Sequence, residues 1–139
     1  MTTRIEASLH EILSCERQRL GHIFYEEFLS ACPEAVPFFA NLNLDAQAKV
    51  VINGLQAVVA CQVHRYPAVD SYLTLLGNRH HRRNIPQSIY PAFRDSMLKT
   101  LANFHASGWD AELENEWRRA LDLAIEVMSR GYLVEHLSY

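Results

Sequence analysis

The sequence predicts an all-α domain, on three observations. Apolar residues recur at intervals of three and four from end to end. No β-branched run alternates for long between turn signals. Capping residues, prolines and glycines punctuate the periodic stretches where helices would start and stop. Six or seven helices account for the chain. Thr3 followed by Glu6 has the form of a capping box and opens a first helix striped by Ile5, Leu9, Ile12 and Leu13. Gly21 marks the expected junction with a second helix, which carries Ile23, Phe24, Phe28 and Leu29 as far as Cys32. Pro33 ends that helix and suits the first turn of a short third piece holding Val36, Phe38 and Phe39. Residues 41–43 read as a loop, after which Asp45 caps a long helix with Gln47, Val51, Leu55 and Val58 on one face. Pro67 closes the next loop, Asp70 caps a helix that ends in histidines, and Asn84 with Pro86 breaks it. Pro91 lies in the first turn of the following helix, where a missing N–H does little harm, and Phe93, Met97, Leu101 and Phe104 line it to a stop near Ser107 and Gly108. Asp110 caps the last helix, whose inner face is Leu113, Trp117, Ala120, Leu121, Ala124 and Met128, with Gly131 as its stop.

At 139 residues the chain makes one domain, with room for a sizeable core and none for a second catalytic domain. A net charge of −3 argues against a nucleic-acid partner. The one basic cluster, Arg79 with Arg82 and Arg83, is interrupted by histidines and lacks interleaved aromatics. Cys15, Cys32 and Cys61 are odd in number and widely spaced, which signals neither a disulfide framework nor a zinc site and fits free thiols in a reducing compartment. No apolar run approaches a membrane span and no secretory leader is evident, so a cytoplasmic protein is expected.

The most informative stretch is LTLLGNRHHRRNIPQSIY, residues 73–90. Leu73, Leu76, Gly77 and His80 fall at i, i+3, i+4 and i+7, so His80 faces inward behind leucine side chains. His81 shares its stripe with Thr74, Gly77 and Asn78 and faces water. An imidazole at the end of an apolar helix face suits a flat apolar cofactor held by its metal, which makes haem the first hypothesis. The alternative from the stripe alone is a hydrogen-bonded core histidine.

Four landmarks, in order and in spacing, resemble the globin family of the bacterial single-domain and flavohaemoglobin type. These are FYEEFL from Phe24 to Leu29, CPEAVPFF with Pro33 and Phe39, LGNRHHRRNIPQSIY with Ile85 and Tyr90 beyond His80, and Trp117 in EWRRAL. Each alone is a weak signal; together they are specific. The resemblance implies a globin-like three-over-three helical sandwich over residues 1–131, with 132–139 as a tail or linker. It implies haem b, with His80 as the metal ligand rather than His81. The second ring nitrogen of His80 would donate to a backbone carbonyl on its own helix, that of Leu76 being in reach. Tyr25 and Gln47 become the distal ligand-binding pair, and Phe39, Val51, Leu55, Leu76, Ile85, Tyr90, Phe93, Met97 and Met128 the cofactor-binding walls. Lys49 is a rival sixth ligand, about 200° around the helix from Gln47 at ~100° per residue. Arg79, Arg82 or Arg83 are candidates for the haem propionates.

The function so implied is reversible binding of dioxygen or another diatomic gas. Gas sensing within a longer signalling protein is a second class, with Leu133 and Leu137 starting a connecting helix. Nitric oxide dioxygenation with a separate reductase is a third, and a homodimer is left open. One departure weighs on the third. Where flavohaemoglobins place a glutamate fifteen residues after the tryptophan, this chain has Tyr132. That glutamate joins the tyrosine corresponding to Tyr90 in polarising the proximal histidine.

Overall fold

A computed structural model describes residues 2–134. It contains six α-helices and no strand among those residues: α1 (Arg4–Ser14), α2 (Arg17–Ala31), α3 (Leu44–Val63), α4 (Pro67–Arg82), α5 (Tyr90–His105) and α6 (Ala111–Arg130). A 3-10 segment, Pro33–Phe39, links α2 to α3, and three single 3-10 turns complete the chain. α1, α3 and α4 lie across α2, α5 and α6 as two layers of three. α2 packs on α3 and α5, and α4 packs on α6.

The expected capping box is present. Glu6 N–H donates to Thr3 Oγ1 at 3.3 Å and Thr3 N–H donates to Glu6 Oε1 at 3.0 Å. Asp110 also caps as expected, accepting from Leu113 N–H at 2.9 Å. Three boundaries differ from the sequence expectation. α1 stops at Cys15, and Gly21 lies inside α2, where it admits α3: a Cβ there would fall 2.7 Å from Ala48 Cβ. Asn43, not Asp45, caps α3, its Oδ1 accepting from the N–H groups of Asp45 and Ala46. α4 starts a turn earlier than expected, with Pro67 in its first turn, so Asp70 sits within the helix. In both places the helix begins at the earlier candidate: Asn caps as well as Asp, and Pro suits a first turn.

Asn78 is fully buried, contrary to its expected place on a polar stripe. Its amide donates to the carbonyls of Gly131 at 3.0 Å and Val134 at 2.6 Å, tying α4 to the end of α6. Tyr132 and Val134, expected in a tail, are therefore engaged by the domain, and Leu137 lies outside the described residues. Gly131 stops α6 at φ −64°, so it serves by its size and not by a left-handed turn. A Cβ on Gly131 would collide with Thr74 O and Asn78 N, and one on Gly77 with Met128 O. Gly77→Ala is accordingly expected to cost about 1–3 kcal/mol by overpacking, read as a lowered midpoint in thermal unfolding; an unchanged midpoint would refute the close approach.

At the opposite end, Trp117 is fully buried and its Nε1–H donates to Ser8 Oγ at 3.0 Å. Ser8 Oγ lies 2.6 Å from His105 Nε2. The indole can only donate, so Ser8 accepts from it, and with the acceptor-only Glu11 carboxylate facing the other ring nitrogen, Ser8 gives its own proton to a neutral His105 at Nε2. His105 then carries its proton on Nδ1, 3.4 Å from Glu11 Oε2. Burial lowers the His105 pKa despite that carboxylate, consistent with the neutral ring this arrangement uses. The polar pin joins α1 to both α5 and α6.

Candidate functional site

Between the layers lies a cleft, partly open to solvent, with a cavity volume of about 150 Å³. Its walls are apolar except for Tyr25, Gln47, Tyr72, His80, Arg83 and Tyr90.

α4 supplies His80 to one wall, one turn beyond Leu76 and two beyond Leu73. His81 is exposed, its ring 5.1 Å from that of Tyr132. His80 Nδ1 lies 2.9 Å from Tyr90 Oη, at the start of α5, rather than bonding the Leu76 carbonyl. The correction has a simple origin: the break after α4 and the short 3-10 turn before α5 bring Tyr90 back over the ring. Tyr90 Oη is in turn 2.9 Å from Tyr132 Oη, and Tyr132 donates to the Ile85 carbonyl at 2.7 Å. His80 Nε2 has no hydrogen-bond partner among the described residues and belongs to the cavity wall. Desolvation, with Arg83 as a second cause, lowers the His80 pKa to about 4, so the imidazole is neutral at physiological pH. A neutral imidazole with one nitrogen oriented by a hydrogen bond and the other bare is a metal ligand in waiting.

α2 and α3 form the facing wall. Tyr25 is buried, edge-on to Phe24 and tilted against Phe39, with ring centroids 5.0 and 5.3 Å apart. Burial pushes its phenol up to about 12, so it stays protonated and able to donate. Its nearest partner is Gln47 Oε1 at 3.5 Å, well beyond the usual ~2.7–2.8 Å for O–H···O. The phenol proton is thus loosely held. Gln47 meets Tyr25 through its carbonyl oxygen and so first orients the phenol.

Of the residues expected around the cofactor, Phe39, Val51, Leu55, Leu76, Ile85, Tyr90, Phe93 and Met128 line the cleft together with His80, Tyr25 and Gln47. Met97 does not: one turn beyond Phe93 on the same side of α5, it is fully buried in the core. Lys49 is exposed and off the wall, which removes it as a sixth ligand in this arrangement. His22 is engaged by Asp45 at 2.7 Å and His64 stacks on Tyr66, so neither approaches the cleft. Among the arginines only Arg83 reaches the mouth, where it donates to the Phe38 carbonyl at 3.0 Å. Sequence reasoning missed Val50, Gly54 and Ile125, although each was legible. Val50 and Gly54 extend the Gln47, Val51, Leu55 stripe, and Ile125 falls between Leu121 and Met128 at helical spacing. Tyr72 at the mouth left no such signal.

Among the described residues no three metal-ligating side chains converge, and no helix is long and apolar enough to cross a membrane. A single imidazole facing an apolar slot fits a metal carried inside a large organic ring, not a bare ion. Comparison with known proteins bears on this geometry. The family model described as Globin matches residues 22–128, which takes in both walls of the cleft. The chain is also 28% identical to leghemoglobin-1 of Lupinus luteus, over 73% of each sequence.

Proposed function

Because the chain belongs to the globin family, we propose that it is a haem protein that binds a diatomic gas, dioxygen first, reversibly. The observation that carries this reading is His80 itself, with Nδ1 tied to Tyr90 and the other ring nitrogen unpartnered among the described residues, on the wall of an apolar cleft. The relative's name, leghemoglobin, points the same way. No C-x-x-C-H run is present to attach a porphyrin covalently, which favours haem b held by coordination and burial. When bound, haem supplies an iron centre at which a small gas is taken up and released.

The chain's own residues divide the remaining work. His80 grips the cofactor from α4, Phe39 and Phe93 stand at its edges, and Val51, Leu55 and Met128 keep water from the slot. Arg83 at the mouth is the cation best placed for a propionate. Tyr25 directs its loosely held proton into the distal space, with Gln47 setting its angle. The sequence signature around Phe24 and Tyr25 favours the bacterial single-domain type. Residues 1–131 form the proposed haem domain, with Tyr132 and Val134 as part of its support.

Titration of the purified chain with hemin tests the reading. We expect a Soret band saturating at one equivalent, and a shift of that band when the reduced form is exposed to carbon monoxide. A protein that stays colourless in excess hemin would rule the function out.

A further inference from the structure

The hydrogen bonds beside His80 have a direction. Ile85 offers a carbonyl oxygen that can only accept, so the single phenolic proton of Tyr132 is committed there, at 2.7 Å. The 2.9 Å contact between the two phenols must then use the proton of Tyr90, with Tyr132 accepting. Tyr90, its proton spent, can only accept from His80 at 2.9 Å, which puts the imidazole proton on Nδ1. The direction at Ile85 therefore fixes the tautomer of a ring three bonds away. No member of this chain carries a formal charge. A carboxylate at position 132 would accept from Tyr90 equally well, but its charge would draw the Nδ1 proton off the ring and make the imidazole a stronger electron donor. A phenol supplies the acceptor without the charge.

We propose that Tyr132 is a positioning residue: acting through Tyr90, it holds His80 in its Nδ1–H tautomer, aims a bare Nε2 into the cleft, and keeps the ring a neutral, moderate electron donor. The tautomer half of this proposal stands on the protein alone. The electronic half rests on the haem reading given above.

Nitrogen-15 NMR of the full chain before haem addition reads the first half, because protonated and bare ring nitrogens resonate far apart. His80 is expected as a single Nδ1–H form in the native sequence. In Tyr132→Phe the Tyr90 proton loses its acceptor and turns toward Nδ1, so the Nε2–H form rises to a comparable population. Tyr132→Glu, an acceptor only, restores the Nδ1–H form, and circular dichroism verifies the helical content of each variant. In the haem-loaded ferrous protein, Tyr132→Glu raises the iron–histidine stretching frequency and shifts the ferric-to-ferrous ratio about tenfold toward ferric, or about 60 mV for one electron. Tyr132→Phe does neither. A native protein with an Nε2–H ring, or a folded Phe variant that keeps pure Nδ1–H, overturns the tautomer half. A Glu variant with native frequency and potential overturns the electronic half. The expected tautomers in a chain that takes up no haem would uphold the first half and overturn the second together with the proposed function.

Discussion

Replacing His80 by alanine is expected to abolish the hemin-induced Soret band, while His81→Ala leaves it within a few-fold of native affinity. The two residues are adjacent, yet the helix turns them to opposite media. His80 lines the cleft and His81 is exposed beside Tyr132. Among the described residues no other histidine and no cysteine lines the cleft. Cys32 and Cys61 are buried away from the cleft, and His22 and His64 are engaged elsewhere. What remains in His80→Ala is apolar burial, which gives loose, unsaturable uptake without a defined axial bond. Equal retention by the two variants would sink the assignment. Circular dichroism separates lost ligation from lost fold, since the alanine also removes a partner of Tyr90.

The second large effect belongs to Tyr25. Its hydroxyl is buried, protonated and held only by a long contact to Gln47, so its proton is available to whatever occupies the distal space. A hydrogen bond to a charged or strongly polarised acceptor contributes about 1.5–3 kcal/mol, roughly ten- to a hundredfold at 1.4 kcal/mol per decade. Tyr25→Phe is therefore expected to raise the dioxygen dissociation rate by that factor in stopped-flow displacement. Carbon monoxide, a poorer acceptor, should leave at a rate changed far less. An unchanged dioxygen rate would exclude Tyr25 as the principal donor. Gln47→Leu should have a smaller effect, because Gln47 turns its carbonyl toward the phenol.

Much of this is legible in the sequence alone. The 3.6-residue spacing of Leu73, Leu76 and His80 put one imidazole inside and its neighbour outside, because helical periodicity is a purely local property. Capping at Thr3 and Asp110 was legible for the same reason. Where two capping candidates lay within a few residues of each other, as with Asn43 and Asp45, local chemistry alone did not choose between them. Asn78 differs from the expectation because its partners, Gly131 and Val134, lie more than fifty residues away. The link from His80 to Tyr90 and Tyr132 was likewise out of reach, since it depends on how tightly the chain doubles back after Arg83. Met97 carried the right period for α5, one turn beyond Phe93, but lies past the end of the cleft, and how far a cavity runs along a helix is not written in its period.

The seam where Gly77 and Gly131 let two backbones touch has a mechanical consequence. Side chains yield by hopping between rotamers, whereas main chain against main chain has no such slack, and packed interiors resist compression. With the Asn78 amide clamping the same joint, a sub-ångström displacement of the helix that bears His80 passes undamped into residues 131–134. The joint thus couples the helix that bears His80 to that edge through main chain, with little side-chain slack between them.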